Sequence, residues 1–171
     1  MIMEVIAKRR SIRQYKPDPV SAELIHQLLE AACMAPSAGN LQPWFFYVIE
    51  NPRLKRELSR VAVSGKIIEN APVTILVCAL PEQSASRYGE RGAWLYCLQD
   101  TAAAVQNMLL AATALGLATC WIGAFSEEEV AAILDLPLEQ RPVAMVTVGY
   151  GAEEAQAPVK KPPVAVSRWL K

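Results

Sequence analysis

The stretch from Leu98 to Leu115 leaves a helix with almost no polar face. Ala102, Ala103, Ala104, Val105, Met108, Leu109, Leu110, Ala111, Ala112, Ala114 and Leu115 surround its axis. A helix that is apolar all round has to be buried all round, and Gly116 is placed to stop it. The 171 residues are enough for one domain, 1–171. Burying such a helix on every side of one domain is easiest when a second copy of the chain covers part of it. The sequence therefore predicts a homodimer.

The rest of the chain alternates helix and strand. Asp18-Pro19 is a turn, and Ser21 is an N-cap with Val20 and Ile25 as its hydrophobic staple. Leu24, Ile25, Leu28, Leu29 and Ala32 mark one helical face, which Pro36 ends. Trp44 to Ile49 predicts a strand, and Asn51-Pro52 opens a short charged helix. Val73 to Ala79 is wholly apolar and predicts a strand buried on both faces, whereas Pro81 to Gly92 predicts a mobile polar loop. Thr119 to Ile122 and Val143 to Val148 are further strands. Between them lies a helix opened by the capping box Ser126/Glu129 and the staple Phe125/Val130. The expected fold is an α/β sandwich, a sheet with helices on its faces. The tail from Ala157 to Lys171 carries Val164, Val166, Trp169 and Leu170, and is expected to dock on something, such as a partner subunit.

Lys+Arg and Asp+Glu are each 17, so the formal net charge is zero. Nucleic-acid binders carry a basic excess, so no nucleic-acid partner is expected. The longest apolar run, Thr101 to Trp121, is interrupted by Gln106, Asn107 and Thr113, and no membrane association is expected. Glu4, Lys8, Arg9 and Arg10 break any signal-peptide core, which makes the cytoplasm the default location. Cys33, Cys78, Cys97 and Cys120 are widely spaced and His26 is the only histidine, so neither a metal site nor a disulfide framework is expected. Neither a Gly-x-Gly-x-x-Gly fingerprint nor a phosphate-binding Gly-Lys-Ser/Thr loop is present. With one histidine, predicted to be at the surface, hydrolytic triads are excluded, and a cofactor bringing its own chemistry suits the chain better.

Four segments could hold such a cofactor. Arg9, Arg10, Ser11 and Arg13 gather guanidiniums and a hydroxyl, a set suited to a phosphate. Pro36, Ser37, Ala38, Asn40 and Gln42 offer a loop of amide and hydroxyl groups, with Gly39 permitting close backbone approach. Ile122, Gly123 and Ala124 place backbone N–H groups at a helix entrance. Lys160 and Lys161 offer point charges.

These segments occur in a telling order. Arg9-Arg10-Ser11-x-Arg13 precedes Pro36-Ser37-x-x-Asn40-x-Gln42-Pro43-Trp44, followed by the run Asp100 to Ala112. Leu115-Gly116-Leu117, Trp121-Ile122-Gly123 and Val148-Gly149-Tyr150 complete the series. Over Glu4 to about Pro162 the chain resembles the nitroreductase family of FMN-dependent NAD(P)H oxidoreductases. The resemblance implies an α+β fold, a three-layer α/β/α sandwich, dimeric through a helical interface with FMN at that interface. It implies that Arg9, Ser11 and one of Lys160 and Lys161 hold the FMN phosphate, with Arg10 beside them. Arg13 and Asn40 would face the pyrimidine side of the flavin. Pro36, Ser37 and Ala38 would approach from the other subunit with Gln42 in support, and Ile122, Gly123 and Ala124 would face N5 and O4. No protein side chain is expected to be catalytic, because hydride from NADH or NADPH would pass through flavin N5 to a nitroaromatic, quinone or other small aromatic acceptor by a ping-pong mechanism. The alternatives are a flavin carrier or redox sensor without turnover, and a specialised branch such as a dehalogenase or biosynthetic dehydrogenase. Two departures stand out: lysines occupy the place of a common C-terminal arginine, and little is inserted around Pro81 to Trp94.

Overall fold

The computed structural model describes residues 2–170. Met1 and Lys171, the latter the end of the expected tail, lie outside the described residues. The chain runs α1 (Ile2–Lys8), α2 (Ala22–Cys33), β1 (Trp44–Ile49), α3 (Pro52–Arg60), α4 (Gly65–Asn70), β2 (Val73–Ala79), α5 (Pro81–Arg91), α6 (Cys97–Ala114), β3 (Ala118–Ile122), α7 (Glu127–Leu134) and β4 (Arg141–Gly149).

The four strands form one sheet in the order β1-β2-β4-β3, antiparallel throughout. Every residue of β2 is buried. Because side chains alternate across a strand, Val73, Ile75 and Val77 meet α2 and α6 on one face, while Leu76 and Cys78 meet α3, α4 and α7 on the other. Two helical layers, rather than parallel pairing, thus explain the unbroken apolar run.

Local signals hold where the sequence places them. The Ser21, Asn51 and Ser126 side chains cap their helices, accepting from Leu24 N (3.3 Å), Arg53 N (2.9 Å) and Glu129 N (3.3 Å). Both staple residues Val20 and Ile25 are buried. His26 is at the surface, paired with Glu30. Cys78 and Cys120 are core residues, and burial pushes the Cys78 thiol up to about 12.

One expectation is corrected. The segment expected as a mobile loop, Pro81 to Gly92, is the helix α5, kinked at Gly89 and continuing through a π-type turn, Gly92–Tyr96, into α6. Pro81 at the first position, Glu82 in the first turn and Arg91 in the last all favour it. In a single chain one side of α6 is left uncovered, the side on which the sequence predicts a second copy. Cys97, Thr101, Ala104, Val105, Met108 and Ala112 are buried, but Ala102 and Leu110 are half-exposed and Leu115 is exposed. Ile2, Met3 and Ile6 of α1 are also exposed, and α1 lies against α6. The tail does not dock on its own chain, since residues 156–170 are all exposed. Among the described residues, no helix is long and apolar enough to cross a membrane.

Candidate functional site

The arginine segment is fixed along the outer edge of β3. Ser11 bridges Thr119 in parallel register, and Ile12 N donates to Thr119 O at 2.9 Å. Ile12 is buried beneath, so alternation turns Ser11 and Arg13 outward. The backbone N–H groups of Arg13 and Gln14 donate to one carboxylate oxygen of Glu153, at 2.5 and 3.2 Å. Tyr15 Oη lies 2.7 Å from Thr147 Oγ1 and 2.9 Å from Ile12 O, and burial raises its pKa, so it stays a neutral anchor. Gly149 makes room for that ring: a Cβ there would lie 2.8 Å from Tyr15 Cδ1 and 2.6 Å from Pro72 Cδ.

Arg9, Arg10, Ser11 and Arg13 line an open cavity of about 260 Å³, together with Ala155, Gln156, Pro158 and Lys160. Lys161 does not line it. The cations are not equivalent. The Arg10 guanidinium donates to Ala7 O (2.6 Å) and Arg9 O (2.8 Å), closing the end of α1. Among the described residues, no carboxylate lies within ion-pair distance of Arg9, Arg13 or Lys160. Arg10 has no such carboxylate either, so four cations without an ion-pair partner among the described residues surround one hollow, an arrangement that suits an anion in a chain of zero net charge. Arg13 also borders an adjoining hollow, lined by Gln14, Tyr15, Pro17, Asn70 and Ala152. Asn70 is a polar lining residue that the sequence did not reveal, because a lone Asn closing a short helix carries no signal of its own.

Ile122 is buried at the end of β3, with Gly123 and Ala124 exposed just beyond it. This corner is tied to the turn between α3 and α4: Val63 N donates to Ala124 O (2.9 Å) and Ser126 N to Val61 O (3.0 Å). Ser11 beside Thr119 and Gly123 therefore share one strand edge, four residues apart in register, or roughly 13 Å.

The loop 36–42 is elsewhere. It enters β1 at Trp44, opposite Ala79, whereas Ala118 of β3 pairs Gly149 at the other end of the sheet. Three strand spacings, about 14 Å, separate the two edges. Within one chain, the structure brings Arg9–Arg13, Ile122–Ala124 and Lys160 to one edge and leaves Pro36, Ser37, Ala38, Asn40 and Gln42 at the opposite corner.

That loop is unusually constrained. Gly39, Asn40 and Gln42 have φ of 58°, 56° and 52°, a region that glycine visits readily, Asn tolerates and Gln rarely adopts. Such conformations persist only where surroundings over-determine them, and they cluster at ligand sites. Here Ala38 N donates to both carboxylate oxygens of Asp100 on α6, each at 3.2 Å. Gln42 N donates to Ser37 Oγ at 2.9 Å, and Trp44 N to Gln42 O at 2.8 Å. Burial raises the Asp100 pKa, opposed by the hydrogen bond from Ala38.

The family model described as "Nitroreductase family" matches residues 6–65 and 59–150. A protein from Archaeoglobus fulgidus, named as a candidate NADH dehydrogenase/NAD(P)H nitroreductase, is 36% identical over 89% of this chain and 86% of its own. The chain belongs to the nitroreductase family. A Thermus thermophilus relative named NADH dehydrogenase is 34% identical, covering 95% of this chain and 92% of its own length. A structure from Exiguobacterium sibiricum 255-15, solved in complex with FMN, superposes with a TM-score of 0.89 over 99% of this nitroreductase-family chain and 97% of its own. At 24% identity that likeness shows the fold, the three-layer α+β sandwich, alone.

Proposed function

We propose that this chain is an FMN-dependent oxidoreductase. As a homodimer formed by the whole of 1–171, it would transfer reducing equivalents from NADH or NADPH to a nitroaromatic, quinone or similar small aromatic acceptor. The observation that carries this is the set of cations without an ion-pair partner among the described residues, Arg9, Arg10, Arg13 and Lys160, around one cavity on the outer edge of β3. The complementary loop sits at the far corner of the sheet, so two copies are needed to close two sites. The unpartnered side of α6 with Leu110, and the exposed Ile2, Met3 and Ile6 of α1, offer an apolar surface for that pairing.

The donor set fits FMN. Arg9, Ser11 and Lys160 would hold its phosphate, through charge-assisted hydrogen bonds that are the strong class. Lys161 and Arg10 would lend positive charge nearby, Arg10 less directly because its N–H groups are occupied at the end of α1. Flavin, when bound, accepts hydride from the reduced nicotinamide and delivers electrons to the acceptor. Arg13 would sit on the pyrimidine side, where a cation favours the negative charge that accompanies reduction. The Asn40 side chain, without a hydrogen-bond partner among the described residues, would complete that side, with Pro36, Ser37 and Ala38 packing from the second copy and Gln42 keeping the loop in shape. Backbone at Ile122, Gly123 and Ala124 would border the reacting edge.

A complementation experiment tests the shared site. Co-expressed with differently tagged partners, an Arg9→Ala/Arg13→Ala chain and an Asn40→Ala/Gly39→Arg chain each lose FMN alone. The purified heterodimer is expected to regain about half the flavin and half the NAD(P)H-dependent quinone reduction, because one of its two sites then has both halves intact. Heterodimers that stay empty contradict the shared site.

A further inference from the structure

Residues 81–96 fold over the 36–42 loop. A Cβ on Gly39 would lie 2.7 Å from both Arg87 Nη1 and Tyr88 Oη, so these side chains rest on that glycine's backbone. The Gln83 amide donates to Leu41 O on the same loop. From Arg87 a ladder continues: its guanidinium carbon is 5.6 Å from the Tyr88 ring centroid. The Tyr88 ring is 5.2 Å from Tyr96 at 78°, edge to face. The Arg91 guanidinium is 5.4 Å from the Tyr96 ring, and its Nε donates to Tyr96 Oη at 3.1 Å. Each step lies within the range of cation–π or aromatic attraction.

Two guanidiniums therefore flank two rings beside the candidate site. Both arginines are exposed, both tyrosines are half-buried, and among the described residues neither arginine has a carboxylate within ion-pair distance. Rings beneath the guanidiniums limit their freedom while leaving N–H groups at the guanidinium edges for a ligand. A planar fork of donors matches a carboxylate or phosphate, and the tyrosine faces match a flat ring.

We propose that the ladder selects the ligand: a planar aromatic molecule bearing a negative charge, its ring against Tyr88 or Tyr96 and its anionic group on Arg87 and Arg91. This rests on the assignment of the 36–42 loop to the oxidoreductase site. The same chemistry is shared by a carboxylated acceptor and by the phosphate-bearing nicotinamide donor.

The test uses the FMN-loaded enzyme and the Arg87→Gln/Arg91→Gln variant. KM is measured for 4-nitrobenzoate against nitrobenzene, and for NADH and NADPH with 1,4-benzoquinone. Benzoate, which cannot be reduced here, is titrated by calorimetry. For a carboxylated acceptor, the 4-nitrobenzoate to nitrobenzene KM ratio and the benzoate Kd are expected to rise about tenfold, the scale of one charge-assisted hydrogen bond. A comparable rise confined to the dinucleotides assigns the ladder to the donor's phosphates and supports the proposal equally. Arg87→Lys/Arg91→Lys, which keeps charge but loses the fork, is expected to fall between. Charged and neutral ligands shifting together, or no constant shifting, overturns the proposal. Wild-type enzyme whose flavin neither NADH nor NADPH reduces would sink the oxidoreductase assignment instead, while the benzoate titration would still decide whether the arginines hold an anionic ring.

Discussion

Asp100 lies in the first turn of α6, yet it holds a loop that precedes it by about sixty residues in the chain. The residue is 7% exposed, and its carboxylate takes the Ala38 N–H on both oxygens, each at 3.2 Å. Asp100→Ala removes that acceptor. Hydrogen bonds to charged groups contribute about 1.5–3 kcal/mol, and a stranded buried donor costs about 1–3 kcal/mol. Ala38 is only half-buried, so water recovers part of the loss, and relief of the buried charge recovers more. The expected net cost is about 1–2 kcal/mol, which lowers Tm by about 2–8 °C in a chain of this size. Asp100→Asn keeps an acceptor and loses the charge, so its Tm is expected within about 2 °C of wild type near neutral pH. The pH dependence has a definite sign. Burial raises the Asp100 pKa in the fold, so its stabilising share is full below the unfolded-state carboxyl pKa and is lost as pH rises through the folded one. Asp100→Asn should therefore gain on wild type as pH rises across that window. The assay is thermal melting of all three FMN-free proteins between acid and neutral pH. Asp100→Ala melting with wild type, or Asp100→Asn falling as far as Asp100→Ala, would refute the reasoning.

Other outcomes follow from the same geometry. Arg9→Ala should weaken FMN binding about tenfold or more, the scale of one charge-assisted contact, and change riboflavin binding little; Arg10→Ala should weaken it less, as titrations with both flavins would show. Leu110→Arg places a charge on the half-exposed side of α6, so size-exclusion chromatography should find monomer and little bound flavin. Among the cysteines only Cys33 is exposed, while burial raises the thiol pKa of Cys78, Cys97 and Cys120. Mass spectrometry after brief native alkylation should accordingly find one adduct, on Cys33.

The parts of the fold legible in sequence were those with local causes. Trp44–Ile49 and Val73–Ala79 form strands over the residues their composition marks, and the Ser21 and Ser126 caps act through their own helices. The order of the arginine and Pro-Ser-Ala-Gly-Asn motifs carried the family. Long-range pairing was invisible. Nothing in the sequence ties Asp100 to Ala38, Glu153 to Arg13, or Arg87 to Gly39, because each contact is created by the fold. The 81–92 segment misled for a related reason: polar residues and Gly89 imitate a loop, while the helix is anchored by Gln83 on Leu41 O and by Tyr88 on Gly39. Sequence also could not distinguish Lys160, which lines the cavity, from Lys161, which does not.

The central claim is that paired copies of this chain hold a flavin that a nicotinamide can reduce. Size-exclusion chromatography with visible absorption, followed by anaerobic addition of NADH and of NADPH to the protein peak, tests it most directly. The account predicts flavin bands eluting with a dimer, close to one FMN per chain, that bleach with at least one donor and return when a quinone is added. A colourless protein that takes up no added FMN, or a flavin-loaded monomer, would contradict it.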